Sequence, residues 1–99
     1  MAWTYILECG DGSYYVGSTR DLDLRMTQHY AGLGSAYTRR RMPVTLVWAH
    51  EWTDIDDAYA FEKKVQGWGR AKREALIAGE FDRLSALSKK RNWSRGHSD

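Results

Sequence analysis

Three residues of this 99-residue chain place a charge or a titratable ring where helical spacing calls for apolar side chains: Arg25, His29 and Glu62. At about 100° per residue, Leu22, Met26 and His29 share one arc with Arg25 at its edge. Ala58, Phe61, Val65 and Trp68 share a second arc that includes Glu62. Both arcs should face a core, and a charge in an interior is costly unless it is paired, hydrogen-bonded or bound to an ion. A first strand and hairpin bring Tyr5 and Tyr15 nearby. A guanidinium, an imidazole, a carboxylate and two phenols together have the chemistry for phosphodiester hydrolysis, which is mostly positioning and charge neutralisation.

Each residue has a functional and an ordinary reading. Arg25 can grip phosphate oxygens with two parallel hydrogen bonds, or pack its stem beside Leu22 as a surface arginine. His29 can accept or relay a proton near neutral pH, or serve as a satisfied structural histidine. Glu62 can hold one divalent cation or form a buried salt bridge with Arg25. Magnesium, or manganese in its place, suits the first role, because magnesium keeps several waters and often takes only one or two protein carboxylates. A strand tyrosine is ordinarily a packing residue.

The elements that must position these groups can be read from the same sequence. Trp3, Tyr5, Leu7 and Cys9 alternate with Thr4, Ile6 and Glu8 as a strand, and Tyr14 to Ser18 returns after a turn. A two-residue loop at Asp11-Gly12 would send Tyr5 and Tyr15 to opposite faces. A three-residue loop over 10–12 would pair Leu7 with Tyr15 and keep both tyrosines on one face, and Gly12 suits the left-handed position such a loop ends on. The three-residue loop is the expected one. A helix follows over 20–30, capped by Asp21 or, preferentially, Thr19. Residues 31–43 read as a loop, 44–52 as a third strand, and a helix capped by Thr53, Asp54 or Asp56 runs to about Gly67. Further helices are expected over 70–78, closed by Gly79, and over 81–89. The order β-β-α-β-α-α predicts an α+β fold, a small antiparallel three-stranded sheet covered by helices.

Composition narrows the class. At 42% hydrophobic and 13% aromatic residues, the chain suits one small domain with an adequate core. The single cysteine, Cys9, excludes an internal disulfide and a cysteine-rich zinc site, so a reducing cytoplasm is the expected location. No signal peptide or membrane-spanning run is evident. The net charge of +2 conceals an asymmetry. Residues 1–62 hold five Lys/Arg against nine Asp/Glu, net −4, and residues 63–99 hold ten against four, net +6.

Trp3-Thr4-Tyr5-Ile6-Leu7, then Tyr14-Tyr15-Val16-Gly17-Ser18-Thr19, then Arg25, His29 and Glu62 in that order, resemble the GIY-YIG nuclease superfamily. Within it the chain is similar to the small single-domain bacterial proteins described as excinuclease-subunit-C-like or YhbQ-like. The first motif keeps its tyrosine and loses its glycine, and Tyr37-Thr38-Arg39 before Pro43 is a further shared feature. The late Asn or Lys of many family members has no secure counterpart here; Lys64 is a candidate and Asn92 lies in the tail. The resemblance implies a nuclease-like domain over 2–80, followed by a short basic helix and frayed tail over 81–99. It implies a catalytic set of Tyr5, Tyr15, Arg25, His29 and Glu62, with Glu62 as the metal ligand. Tyr5 would contact the attacking water, as its base if the metal and Arg25 lower a phenol pKa that is ordinarily about 10. Tyr15 would orient the phosphate.

DNA is the expected partner, with RNA left open. Tyr37, Thr38, Arg39, Arg40, Arg41 and Lys64 are the expected nucleic-acid contacts, and Lys63, Lys72, Arg73, Lys89, Lys90 and Arg91 would extend the basic track. No added recognition module is evident, which points to DNA read by shape, as in repair or recombination. The expectation is therefore a divalent-metal-dependent DNA endonuclease. The alternatives are a nucleic-acid-binding module without turnover and an aromatic-rich protein-interaction domain.

Overall fold

The computed structural model describes residues 1–86, and the remainder of the expected last helix, with Lys89, Lys90, Arg91 and Asn92, lies outside them. Strands β1 (Ala2–Glu8), β2 (Tyr14–Thr19) and β3 (Thr45–Trp52) form one antiparallel sheet in the order β2-β1-β3. Helices α1 (Leu22–Tyr30) and α2 (Ala36–Arg39) separate β2 from β3, and α3 (Ile55–Gln66) and α4 (Arg70–Ala78) follow. The chain divides into two compact units, Met1–Gly67 and the residues from Trp68 onward. The second holds α4, closed by Gly79 at φ +74°, and residues 81–86 are helical.

The hairpin takes the three-residue loop. Cys9 N–H donates to Ser13 O at 2.8 Å and Gly12 N–H to Cys9 O at 2.9 Å, with Gly12 at φ +85°. Leu7 therefore pairs with Tyr15 and Tyr5 with Gly17. Because side chains alternate across a strand, Tyr5, Leu7, Cys9 and Tyr15 share one face and Thr4, Ile6, Val16 and Ser18 the other. The first face packs with Met26, Leu22 and Val44. The second lies under α3, where the Thr4 hydroxyl donates to Ala58 O at 2.8 Å and accepts the Trp52 indole N–H at 2.9 Å. Along β3 the register shifts between Ile6, paired with Trp48, and Leu7, paired with Leu46. Val47 is the extra residue of this bulge, which returns Leu46 to the core face that Ala49 also occupies.

Local capping departs from expectation at α1. Asp21 is the N-cap, its carboxylate accepting Leu24 N–H at 3.0 Å, while Thr19 Oγ1 accepts the N–H of Asp21 instead of capping the helix. A carboxylate at this position also meets the positive end of the helix dipole, which favours aspartate over threonine. Asp54 caps α3, and the helix ends at Gln66, so Trp68 falls beyond the Gly67 cap rather than on the Glu62 arc. The expected loop over 31–43 contains the single turn α2, capped by Ser35 through the Thr38 N–H, so Arg39 closes a helical turn.

Thr4 is fully buried and satisfies two elements at once. Thr4→Val leaves the Trp52 N–H and the extra hydrogen bond of Ala58 O unmade, and should cost about 1–3 kcal/mol. Thermal melting should show Tm lower by about 5 °C or more, given about 4–8 °C per kcal/mol for a domain of this size. An unchanged Tm would show that the hydroxyl is replaceable by packing.

Candidate active site

On the α1 face, two polar rings meet inside the core. Tyr5 is 1% exposed and His29 0%, and the Tyr5 hydroxyl lies 2.9 Å from His29 Nε2. Gly17, directly across from Tyr5, makes this burial feasible: a Cβ there would lie 2.5 Å from the Tyr5 oxygen. Arg25, one helical turn before His29, reaches the same oxygen with Nε at 3.4 Å. Its two terminal nitrogens are held by Gln28 Oε1 at 3.0 Å and Gly34 O at 2.9 Å. Tyr15 closes the group, its ring centroid 6.4 Å from Tyr5 and 5.4 Å from His29 in an edge-on contact.

Glu62 approaches from the other face. Its Oε1 accepts the Ser18 hydroxyl at 2.6 Å and its Oε2 accepts Gln66 Nε2 at 2.8 Å. Gln66 also reaches Val16 O at 3.5 Å, which ties this pair to edge strand β2. The salt bridge to Arg25, the alternative reading of Glu62, does not form. Arg25 spends its donors on Tyr5, Gln28 and Gly34, and no ion pair among the described residues includes Glu62. The half-buried carboxylate keeps a lone pair on each oxygen. Among the described residues no three His, Cys, Asp or Glu side chains gather as a metal cage. Glu62 therefore fits the chemistry of one carboxylate holding a hydrated magnesium ion rather than a zinc or calcium cage.

Electrostatics describe the state of Tyr5 with Arg25 alone beside it. Burial pushes its phenol up to about 12, and the hydrogen bond from Arg25, which works the other way, is the smaller effect. The neighbouring Tyr15 and the Glu62 carboxylate push in the same direction as burial, and the Arg25 charge pushes against it. Tyr5 is thus a neutral phenol at physiological pH, and Arg25 alone does not make it a base. His29 is pushed down to about 4, first by burial and then by the Arg25 charge, so it too is neutral.

The residues expected at nucleic acid divide. Arg39, Arg40 and Lys64 are exposed. Arg41 is engaged already: it lies 3.8 Å above the Tyr37 ring, donates to Tyr37 O at 3.1 Å and pairs with Asp11 at 3.1 Å. Tyr37 itself donates to Ser13 Oγ at 2.8 Å and stands 6.0 Å from the Tyr15 ring. Thr38 faces inward: it is 0% exposed and its hydroxyl lies 3.1 Å from His29 Nδ1, where it cannot touch a phosphate. Of the extended track, Lys63 lies over the Tyr59 ring and Lys72 over the Trp68 ring.

The sequence profile of the GIY-YIG catalytic domain matches residues 1–75. The chain belongs to the GIY-YIG family. A UPF0213 protein of Streptococcus pneumoniae serotype 4 is 38% identical over 82 residues, 83% of either chain. A UPF0213 protein of Halobacterium salinarum is 41% identical over 77 residues, 78% of this chain and 100% of that one. The solution NMR structure of a UPF0213 protein from Bacillus halodurans has 38% identity and a TM-score of 0.53, and the match covers 89% of this chain and 98% of that one. The GIY-YIG fold of this chain is accordingly the α+β arrangement expected from its elements. Among the described residues, no helix is long and apolar enough to cross a membrane.

Sequence reasoning missed the supporting residues Ser18, Gln28, Gly34, Ser35 and Gln66. Thr38 carried a signal, its place in Tyr37-Thr38-Arg39 of this GIY-YIG chain, and was assigned to the wrong partner. Gly34 carried none, although a Cβ there would run into the His29 ring at Nδ1.

The depressed His29 value has a definite sign in stability. The unfolded chain protonates this ring near its ordinary value of 6.5, while the folded one resists until about 4. Stability is therefore fully present above about pH 6.5 and falls by up to about 3 kcal/mol as pH drops towards 4. NMR titration of the ring should show no protonation between pH 8 and 5, and a midpoint near 6.5 would mean that water reaches the imidazole.

Proposed function

We propose that this protein is a divalent-metal-dependent endonuclease that hydrolyses phosphodiester bonds in DNA, selecting structure rather than sequence, in repair or recombination, with its nuclease domain over residues 2–80. One observation carries the reading. Gly17 and Ser18, consecutive on edge strand β2, send the site to both sides of the sheet: Gly17 makes room for Tyr5 with Arg25 and His29, and Ser18 holds Glu62. Membership of a nuclease family's catalytic domain supports the same reading.

The chain's own residues divide the work by exposure. Arg25 and Tyr15 are half-buried and meet solvent, so they take the phosphate: the guanidinium neutralises its oxygens and the phenol donates to one. Tyr5 lies behind them as a neutral phenol whose oxygen orients the attacking water. His29 holds the phenol in place from the interior. Glu62 would hold Mg2+ or Mn2+, which when bound supplies charge neutralisation at the phosphate and a water of lowered pKa. Gln66 and Ser18 hold the carboxylate in one orientation, as outer partners of metal-binding groups do. A binding module without turnover is favoured by one observation, the near-complete covering of Tyr5.

Purified protein incubated with labelled branched, nicked, single-stranded and duplex DNA, with and without magnesium or manganese, separates the two. The wild type should cut at least one substrate only when metal is present. Glu62→Gln should reduce cutting by about a hundredfold or more, on the scale of losing one key electrostatic group, while Tm holds or rises slightly. Salt-dependent binding without cutting under every metal condition establishes the inactive module. A Glu62→Gln protein that melts far lower yet still cuts makes Glu62 structural.

Binding has its own test. Arg39 and Arg40 are free of the Asp11 and Tyr37 contacts that hold Arg41. Replacing both with alanine should flatten the salt dependence of duplex binding by about 0.9 in slope for each phosphate no longer neutralised. An unchanged slope would make them a solvated surface.

A further inference from the structure

The segment from Gly34 to Thr38 wraps the buried imidazole from the side opposite Tyr5. Three independent contacts fix it there. Gly34 lies so close that a Cβ would run into the His29 ring, and its carbonyl accepts Arg25 at 2.9 Å. The fully buried Thr38 hydroxyl lies 3.1 Å from His29 Nδ1. Ser35 closes the set: its hydroxyl is 2.9 Å from Thr38 Oγ1 and accepts the Thr38 N–H at 3.1 Å, while its carbonyl is 3.4 Å from the same Thr38 oxygen.

Counting donors gives this chain of bonds a direction. Arg25 can only donate, so Tyr5 oxygen accepts at that contact. The phenol proton then needs an acceptor, and His29 Nε2 at 2.9 Å is the one in reach. A neutral imidazole that accepts at Nε2 carries its proton on Nδ1 and donates to Thr38 Oγ1, whose own proton passes to Ser35. Every polar atom is satisfied, in keeping with the absence of unpartnered buried side-chain atoms among the described residues. In the opposite tautomer, Nε2–H would donate to a Tyr5 oxygen already receiving Arg25, and the phenol proton would have to point outwards.

We propose that Thr38 and Ser35 are positioning residues that lock His29 in the Nδ1-protonated tautomer, so that Tyr5 presents its one remaining lone pair rather than its proton to whatever occupies the site. The inference rests on the nuclease reading for its consequence, because an oriented water needs an acceptor. Its physical content is independent of that reading. The tautomer of His29 decides whether Tyr5 is an acceptor or a donor; Arg25 sets it from the Tyr5 side, and Thr38, accepting at Nδ1 while its own proton goes to Ser35, holds it from the other.

Long-range 1H–15N NMR on the full chain at neutral pH reads the two His29 ring nitrogens directly. The wild type should show a protonated Nδ1 and an unprotonated Nε2. Thr38→Val removes the Nδ1 acceptor and should give a tautomer mixture or reversal, with kcat lowered by about tenfold, the scale of one net hydrogen bond, at unchanged KM for DNA. Thr38→Ser keeps the hydroxyl and should restore both the spectrum and the rate. A wild type protonated at Nε2 overturns the proposal without any variant, and so does a folded Thr38→Val protein with unchanged ring nitrogens. If the predicted spectra appear but no DNA is cut under any metal condition, the tautomer lock stands and the nuclease reading fails.

Discussion

The contact on which the rest depends is the hydrogen bond between the Tyr5 hydroxyl and His29 Nε2 inside the core. Two polar rings in a small interior are tolerated only if every donor and acceptor on them is used. That requirement accounts for residues scattered along the chain. Gly17 clears space for the phenol, Gly34 for the imidazole, Arg25 donates to one ring and Thr38 meets the other. Removing any partner strands a buried group, so the cluster is held together as a unit rather than as a set of separate contacts.

The sheet distributes the remaining chemistry. On an edge strand, consecutive residues face opposite sides, and β2 uses this at Gly17 and Ser18 to bring a tyrosine–histidine–arginine group and a carboxylate to one border of the fold without packing them into one interior. Keeping Glu62 with Ser18 and Gln66, instead of in a salt bridge with Arg25, leaves both charges available. A preformed ion pair would have to be broken before either could act, at the expense of its own attraction and rehydration. Arg41 is arranged differently: its pair with Asp11 and its place over Tyr37 brace the hairpin loop against the segment that carries Thr38.

Much of this was legible in the sequence, and the failures have physical causes. Gly12 announced the loop type, and the loop type fixed the faces of Tyr5 and Tyr15. The inward arcs of α1 and α3 were readable because helical periodicity is local. The cap of α1 differs from the preferred Thr19, because two good capping residues stand two apart and the choice falls to the backbone and to the carboxylate's match with the helix dipole. The bulge at Val47 depends on pairing with β1, which no local pattern in β3 reports. Thr38 reads as a DNA contact through its place in Tyr37-Thr38-Arg39, whereas the single turn of α2 directs it into the core. Small polar residues such as Ser18, Ser35 and Gln66 acquire their meaning from partners far off in sequence, and periodicity says nothing about them.

The two pKa shifts run in opposite directions and have one consequence. Burial pushes the Tyr5 phenol up to about 12 and the His29 imidazole down to about 4, so moving the phenol proton onto the imidazole runs against both. The resting pair is neutral on both sides, so the interior holds no separated charge that folding would have to stabilise. The same burial that makes the pair safe for the fold keeps Tyr5 from acting as a base on its own account. What the buried phenol offers in this state is a lone pair held at a fixed place. Any lowering of its pKa must come from positive charge outside the pair. Arg25 is one such charge and already touches the phenol oxygen, yet it is outweighed by burial. From the other face of the sheet Glu62, held by Ser18 and Gln66 and in no ion pair among the described residues, adds a negative charge that works with burial, so the neutral state of the phenol is set from both sides of β2.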